Sequence, residues 1–244
     1  MVRRYLSHVV LVLVTVLAMT SCTSNPDSAG SAGAPAAPPP TSPSPSDPGA
    51  SPTNTDQVGV IGDSLTAEMI DYDLLEPALI DAGWASRGIR MDGVWGRPID
   101  GTGPTATTEA ISTWREAGFD PRVWLVALGT NNAGDSVSQW RQDIRGVLNT
   151  INAGATGNYT IYWVTTGYLQ PDVNNQDLFL STVQEISADY PNVVVADYGA
   201  FLDEHRGQPG WESMWSDPVH HTKAGYQQLR TPFYVATLAP EAPA

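Results

Sequence analysis

Short apolar runs alternate along this chain with longer segments in which apolar residues recur at helical spacing. A run of about four to eight apolar residues bounded by turn residues is typical of a strand buried on both faces. Such runs cover residues 58–61, 86–91, 122–128, 159–164 and 192–196, and the second is the weakest of them. The pattern therefore predicts about five strands.

The segments between these strands show the period of an amphipathic helix. Residues 107–117 carry Ile111 and Trp114 on one face and stop at Gly118. Two more helices are marked by apolar residues at helical spacing, which are Val137, Trp140, Ile144, Val147, Leu148 and Ile151, then Phe179, Val183, Ile186 and Tyr190.

Helices are also predicted at both ends of the folded region. One follows the first strand and ends near residue 80, and another begins near Thr222 and is disturbed at Pro232. Regular alternation of strands and helices implies a parallel sheet covered by helices on both faces, with right-handed crossovers. We therefore expect residues 56–240 to form a single flavodoxin-like α/β domain, a three-layer sandwich with about five parallel strands.

The front of the chain has the character of an export signal. Arg3 and Arg4 precede an apolar run at residues 9–19, about half the length that a membrane-spanning helix needs. This order predicts a signal peptide over residues 1–21. The stretch that ends in Cys22, the single cysteine of the chain, resembles the lipobox of bacterial lipoproteins. It implies lipidation of Cys22 and anchoring at the outer face of the cell, whereas the alternative is a cleaved signal with an incidental cysteine.

Residues 22–55 form the predicted link between this cysteine and the domain. They consist almost entirely of Pro, Ser, Ala, Gly, Thr, Asn and Asp, a composition that cannot bury enough apolar surface to offset the entropy of ordering. We expect a tether that holds the domain away from a membrane. The net charge of the whole chain is −14, which argues against nucleic acid as a partner.

Polar and glycine residues follow the first three strands, at the sheet edge where sites form in open parallel sheets. These stretches are Gly62-Asp63-Ser64-Leu65, residues 93–97 and residues 129–132, and Asp217 and His220 come just before the last helix. A serine nucleophile needs a base and a group that orients the base. Ser64, His220 and Asp217 can supply these three roles, and an Asn131 amide can donate to an oxyanion.

These residues closely resemble the SGNH, or GDSL, hydrolase family. The resemblance implies Ser64 as nucleophile, Asp217 and His220 as acid and base, and an oxyanion hole made by the Ser64 N–H, Gly96 and the Asn131 side chain. The glycine is the weakest match, and Gly93 is the other candidate. The family implies a serine esterase that works through an acyl-enzyme, without a cofactor.

Several bland interpretations stand beside these roles. Ser64 could cap the first helix, Asn131 could be a turn residue, and His221 could be the base in place of His220. A metal site would need more ligands than Asp217, His220 and His221, so no metal is predicted.

Three tryptophans and one arginine are candidate substrate-binding residues. Trp95, Trp211 and Trp215 fall in predicted loops, where they could stack on a sugar ring or simply pack beneath the surface. Arg97 could contact an anionic or polar group of a substrate, or form a local salt bridge.

The location and the aromatic residues favour an acylated cell-wall glycan as the ester substrate. The first alternative is an O-acyltransferase that uses the same triad with a sugar hydroxyl as acceptor. The second is a non-catalytic glycan-binding lipoprotein. The sequence predicts no oligomeric state.

Overall fold

A computed structural model describes residues 56–101, 103, 105–171 and 173–243. The predicted signal peptide, Cys22 and the linker through residue 55 lie outside the described residues. Within the described residues, no helix is long and apolar enough to cross a membrane.

Five parallel strands form one sheet in the order β2-β1-β3-β4-β5. Their bounds are β1 Val58–Gly62, β2 Ile89–Gly93, β3 Val123–Ala127, β4 Thr160–Val164 and β5 Val193–Ala196. The predicted flavodoxin-like α/β sandwich with about five parallel strands is confirmed. The second strand begins later than expected, because Ser86–Gly88 forms a 3₁₀ turn. A side chain at Gly88 would lie 2.4 Å from the Asp56 carbonyl oxygen, so glycine is needed where the two segments meet.

Eight α-helices cover the described part of the sheet. They are α1 Ser64–Asp71, α2 Leu75–Asp81, α3 Thr107–Glu116, α4 Val137–Asn152, α5 Gln176–Ser187, α6 Tyr198–His205, α7 Lys223–Gly225 and α8 Thr231–Leu238. The single helix expected after the first strand is two helices, because the backbone turns at Asp73, whose φ is 54°. Helix α6 was not expected from the sequence.

The C-terminal helix departs from α geometry ahead of its proline. A π-helical segment, Tyr226–Arg230, joins α7 to α8, and Pro232 lies in the first turn of α8. Proline has no N–H to donate to the preceding turn, so a widened turn at this point follows from the sequence. The predicted disturbance near Pro232 is confirmed.

The core lies on both faces of the sheet, and successive residues of each central strand serve opposite faces. In β3, Leu125 belongs to the cluster under α1, α2, α6 and α8, whereas Trp124 and Val126 belong to the cluster under α3, α4 and α5. Trp163 of β4 and Trp140 of α4 lie in the second cluster, as their spacing indicates. This two-sided burial makes the strands read as continuous apolar runs.

Candidate active site

The turn between β1 and α1 presents Ser64 at the carboxyl edge of the sheet. Asp63 is the N-cap of α1, and its Oδ1 accepts a hydrogen bond from the Leu65 N–H at 3.0 Å. Because Asp63 caps the helix, the interpretation of Ser64 as the cap is wrong. Ser64 is the first helical residue, so its N–H has no partner within the helix and lies at the positive end of the helix dipole. This N–H is available to a negative charge that develops beside Ser64 Oγ.

Ser64, His220 and Asp217 form a continuous hydrogen-bonded series. Ser64 Oγ lies 2.9 Å from His220 Nε2, and His220 Nδ1 lies 2.8 Å from Asp217 Oδ2. Because an ionised carboxylate only accepts, His220 Nδ1 carries the proton and donates it to Asp217, which leaves Nε2 to accept from the Ser64 hydroxyl. This tautomer is the one that a general base needs to take the serine proton.

The Asp217 carboxylate also organises its own loop. Its Oδ1 accepts hydrogen bonds from the backbone N–H groups of Val219 and His220, both at 2.7 Å. Partial burial acts to raise the pKa of Asp217, but these two backbone donors and the His220 ring outweigh it, so the pKa lies below its ordinary value. Asp217 is therefore held in the ionised form that orients His220.

The neighbouring histidine is turned away from Ser64. His221 is buried, its Nδ1 lies 3.3 Å from the Met214 carbonyl oxygen, and its Nε2 lies 2.8 Å from the Tyr198 hydroxyl. Since the carbonyl can only accept, Nδ1 donates to it and Nε2 accepts from Tyr198. Burial, together with the positive charge of Arg230, lowers the pKa of His221 to about 3. His221 stays neutral and structural, so the alternative in which it acts as the base is wrong.

Gly96 and Asn131, the other two candidate oxyanion donors, lie in segments that are linked to each other through Arg97. Gly96 occupies an exposed turn with a φ of 72°, and the turn is closed by a hydrogen bond from the Arg97 N–H to the Val94 carbonyl at 3.1 Å. Asn131 Nδ2 donates to the Arg97 carbonyl at 3.0 Å, which leaves its second amide hydrogen for another acceptor. The Asn131 side chain thus joins the Gly96 turn to the segment that follows β3.

Gly93, the other candidate, has a packing role. It ends β2 opposite Gly62, and a side chain there would lie 2.3 Å from the Ala67 backbone nitrogen. Gly93 therefore allows α1 to sit directly on β2. Gly96, where a side chain would meet nothing within 4 Å, has the open position that a substrate can approach.

Arg97 does not face a substrate. It is 1% exposed, and its guanidinium donates to the carbonyl oxygens of Gly62, Asp92 and Thr105 and to the Asp92 carboxylate at 2.8 Å. The substrate-contact interpretation of Arg97 is corrected, because its donors serve the ends of β1 and β2. The side chain holds the two turns that carry Ser64 and Gly96 against each other.

The three loop tryptophans have different surroundings. Trp211 and Trp215 are buried against each other, with ring centroids 5.3 Å apart, and Trp215 packs on His221. Their predicted substrate contact is corrected, since they support the loop from beneath. Trp95 is 58% exposed, and its ring stacks on His220 at 5.7 Å and 29°. Of these tryptophans, Trp95 is placed to touch a bound substrate.

The comparison with protein families agrees with this geometry. Residues 60–228 match the model of the GDSL-like lipase/acylhydrolase family. The match covers more than half of the chain, and the chain belongs to that family. Its members are serine ester hydrolases, and the Ser64, His220 and Asp217 arrangement is that of a serine esterase. A search of curated proteins found no match.

Several solved structures share the fold. The C-terminal catalytic domain of Streptococcus pneumoniae peptidoglycan O-acetyltransferase A, solved with a methylsulfonyl adduct, is 19% identical, with a TM-score of 0.54; the match covers 77% of this chain and 96% of that one. The lipase/acylhydrolase from Enterococcus faecalis is 17% identical over 77% of this chain and 97% of its own, with a TM-score of 0.56. TesA is 18% identical over 76% and 99%, with a TM-score of 0.55.

The site can carry out acyl transfer through an acyl-enzyme. Among the described residues, no group of three or more His, Cys, Asp or Glu side chains is placed to hold a metal ion. The complete triad and the family membership also count against a non-catalytic binding protein.

The sequence did not indicate the polar residues beneath the site. Arg230, Tyr198 and Tyr234 are buried there. A lone arginine among the apolar residues of the last helix was the available signal, but long charged side chains at such positions usually reach solvent.

Proposed function

We propose that this protein is an extracytoplasmic esterase that removes short acyl groups, such as acetyl, from a cell-wall glycan. The observation that carries the proposal is Trp95, which presents an exposed ring beside the catalytic His220. An exposed tryptophan face is suited to stack on a sugar ring. The exposed Asn131 and the half-exposed Asp217 are polar, and they favour a polar ester over a long aliphatic chain.

The proposed reaction begins with attack of Ser64 Oγ on the ester carbonyl carbon. His220 Nε2 takes the serine proton, while the Ser64 and Gly96 N–H groups and the Asn131 amide stabilise the oxyanion. When the ester C–O bond breaks, His220 returns the proton to the leaving sugar hydroxyl. Water then attacks the acyl-enzyme with His220 again as base, which releases the carboxylic acid and restores Ser64.

The same first half-reaction serves a transferase, which is the second candidate. In that case a sugar hydroxyl replaces water and receives the acyl group. The observation in its favour is the shared fold of the peptidoglycan O-acetyltransferase A domain.

The proposal places the protein outside the plasma membrane, anchored through a lipid on Cys22. It rests on the basic and apolar start of the chain and on the position of its single cysteine. Replacement Cys22→Ala should release the protein from the detergent phase on partitioning. Retention in that phase would instead assign the anchor to the apolar segment at residues 9–19.

A panel of esters tests the substrate class. Hydrolysis of p-nitrophenyl acetate, a long-chain p-nitrophenyl ester and an O-acetylated wall oligosaccharide would be compared side by side. We expect acetyl esters to be preferred. Trp95→Ala should raise the KM for the oligosaccharide about tenfold and change the KM for p-nitrophenyl acetate little. The control is Tyr72→Ala, which removes an exposed aromatic ring at the C-terminal end of α1 and should leave both KM values unchanged. Equal effects of Trp95→Ala on both substrates would count against sugar stacking.

Ser64→Ala tests the nucleophile and should abolish both esterase activity and labelling by a fluorophosphonate probe. Ser112→Ala, on the exposed face of α3, is the matched control and should change neither. Labelling that persists in Ser64→Ala would assign the nucleophile elsewhere. Acylated sugar formed from an acyl donor and an oligosaccharide acceptor, detected by mass spectrometry, would favour the transferase.

A further inference from the structure

A permanent positive charge is buried beneath the catalytic edge. Arg230 ends the π-helical segment Tyr226–Arg230 and is 3% exposed. Its Nε donates to the Tyr234 hydroxyl at 3.1 Å, and its guanidinium carbon lies 4.7 Å from the centre of the Tyr198 ring. Arginine stays protonated in proteins, and a buried charge is costly unless its surroundings compensate it. Single π-helical turns are frequently found at functional sites, and Arg230 ends such a segment.

On one side, the contacts of Arg230 extend through Tyr234 to the helix that carries the nucleophile. The Tyr234 hydroxyl, having accepted from Arg230, lies 3.5 Å from Thr66 Oγ1 in the first turn of α1. A side chain at Gly62 would lie 2.0 Å from Thr66 Oγ1, so Thr66 packs directly on the end of β1. Arg230 thus contacts, through one tyrosine, the turn on which Ser64 stands.

Asp63, the N-cap of that helix, lies on the same side. Asp63 is fully buried, and the groups that face its carboxyl are the Leu65 N–H, Thr130, Tyr168, Tyr234, His220 and Arg230. Burial raises the pKa of the Asp63 carboxyl, and the charge of Arg230 is the strongest influence in the opposite direction. Arg230 therefore favours the ionised form of the cap, which binds the first turn of α1 more strongly than a neutral carboxyl does.

On the other side, the contacts of Arg230 extend through Tyr198 to the loop that carries the base. The Tyr198 ring stacks under the Arg230 guanidinium, and its hydroxyl donates to His221 Nε2 at 2.8 Å. The groups that face Arg230 from the elements around it are Tyr198, Tyr226, Tyr234, Asp63 and His221. Because His221 follows His220 directly, the position of the base depends on this contact.

We propose that Arg230 is a positioning residue for the reaction, which joins the Asp63–Ser64 turn to the His220–His221 loop and thereby sets the approach of Ser64 Oγ to His220 Nε2. Arg230 touches neither substrate nor the reacting atoms. A displacement of about 1 Å between reacting groups can lower a rate about a hundredfold. The proposal concerns the esterase chemistry itself and holds for any acyl substrate.

Arg230→Met removes the charge and keeps much of the side-chain volume. We expect kcat/KM for p-nitrophenyl acetate to fall about a hundredfold, mostly in kcat, and labelling by a fluorophosphonate probe to slow in parallel. The matched control is Arg141→Met, which removes an exposed arginine of α4 that pairs with Glu185 of α5. Its kcat/KM should stay within twofold of the wild-type value. Circular dichroism would establish that both variants are folded.

The pH profile separates positioning from a merely structural role. Two groups can shape the acid limb of kcat/KM: His220, which must be unprotonated to act as the base, and Asp63, whose ionised form Arg230 favours. Without Arg230 the pKa of Asp63 rises further, so the Asp63 contribution to the acid limb should move to higher pH in Arg230→Met. In Asp63→Asn that contribution is absent, and adding Arg230→Met should move the limb less than it does in the wild-type protein. A limb in the wild-type position, with kcat/KM within twofold, would overturn the proposal.

Arg230→Lys decides the matter if Arg230→Met does not fold. Lysine keeps the charge but loses the planar stacking on Tyr198 and the Nε contact with Tyr234. We expect a folded variant with the acid limb unchanged and kcat/KM lowered about tenfold. Activity equal to wild type in this variant would overturn the positioning role. If the wild-type protein hydrolyses p-nitrophenyl acetate but not the O-acetylated glycan, only the proposed substrate would be contradicted.

Discussion

Two aspartates serve the two halves of the active site in opposite environments. Asp63 precedes Ser64 and is fully buried, whereas the Asp217 side chain, three residues before His220, is 49% exposed. Burial raises the pKa of Asp63, while backbone donors and the His220 ring lower that of Asp217. One carboxyl orders a helix terminus from within the core, and the other orders a histidine from the surface.

The two positions require different properties of their carboxyl groups. Asp217 acts through its charge on His220, and water can surround its outer side without loss of the short contact at 2.8 Å. Asp63 acts through the geometry of the first turn of α1, and its burial excludes water that could compete for the Leu65 N–H. We therefore expect Asp217 to matter mainly for rate and Asp63 mainly for stability.

The largest expected effect is that of Asp217→Asn on the rate. The amide can donate to His220 Nδ1 and thereby favour the wrong tautomer, in which Nε2 no longer accepts from Ser64. Loss of about 10³- to 10⁴-fold in kcat follows from such a change in a serine triad. The measurement is kcat for p-nitrophenyl acetate, with urea unfolding as the companion assay. Because the carboxylate is half-exposed, the free energy of unfolding should change by less than about 1 kcal/mol.

The next effect is that of Asp63→Asn on stability. The amide oxygen can still cap α1, but the amide NH2 replaces the buried Oδ2, which has no hydrogen-bond partner among the described residues, and a buried donor left without an acceptor costs about 1–3 kcal/mol. We expect a loss of about 2 kcal/mol in urea unfolding and a fall in kcat of about tenfold. If Asp63→Asn cost more activity than Asp217→Asn and less stability, the assignment of the two roles would be reversed.

The fold was predictable because its central strands appear in the sequence as short, continuous apolar runs. Val58–Gly62 and Val123–Ala127 are buried on both faces, so continuous apolar runs ending in glycine were sufficient to place them. The candidate catalytic residues could be proposed for a related reason, since parallel strands bring Ser64 and Asn131 to one edge. What fixed Asp217 and His220 was their mutual spacing just ahead of the last helix.

The support beneath the site was not predictable in the same way. Whether Arg97 meets a substrate or the ends of β1 and β2 depends on a rotamer and on the path of a turn, neither of which has a period in the sequence. The burial of Trp211 and Trp215 depends on how one loop folds back onto His221. The role of Arg230 depends on contacts between segments that are far apart in the sequence, such as those of Asp63 and Tyr234. These contacts are seen only in the packed structure.

The dependence of stability on pH should be a smaller effect than either of these, and it distinguishes the two aspartates directly. A carboxyl whose folded pKa is lowered binds fewer protons when folded, so Asp217 contributes stability above its unfolded value of 3.8 that is lost as the pH falls below it. A carboxyl whose folded pKa is raised binds more protons when folded, so Asp63 makes the fold less stable as the pH rises above 3.8. Urea unfolding between about pH 3 and about pH 7 measures both. The difference between wild type and Asp217→Asn should grow with pH, and the difference between wild type and Asp63→Asn should shrink. Parallel pH dependences in the two variants would mean that the two aspartates are not distinguished by their surroundings.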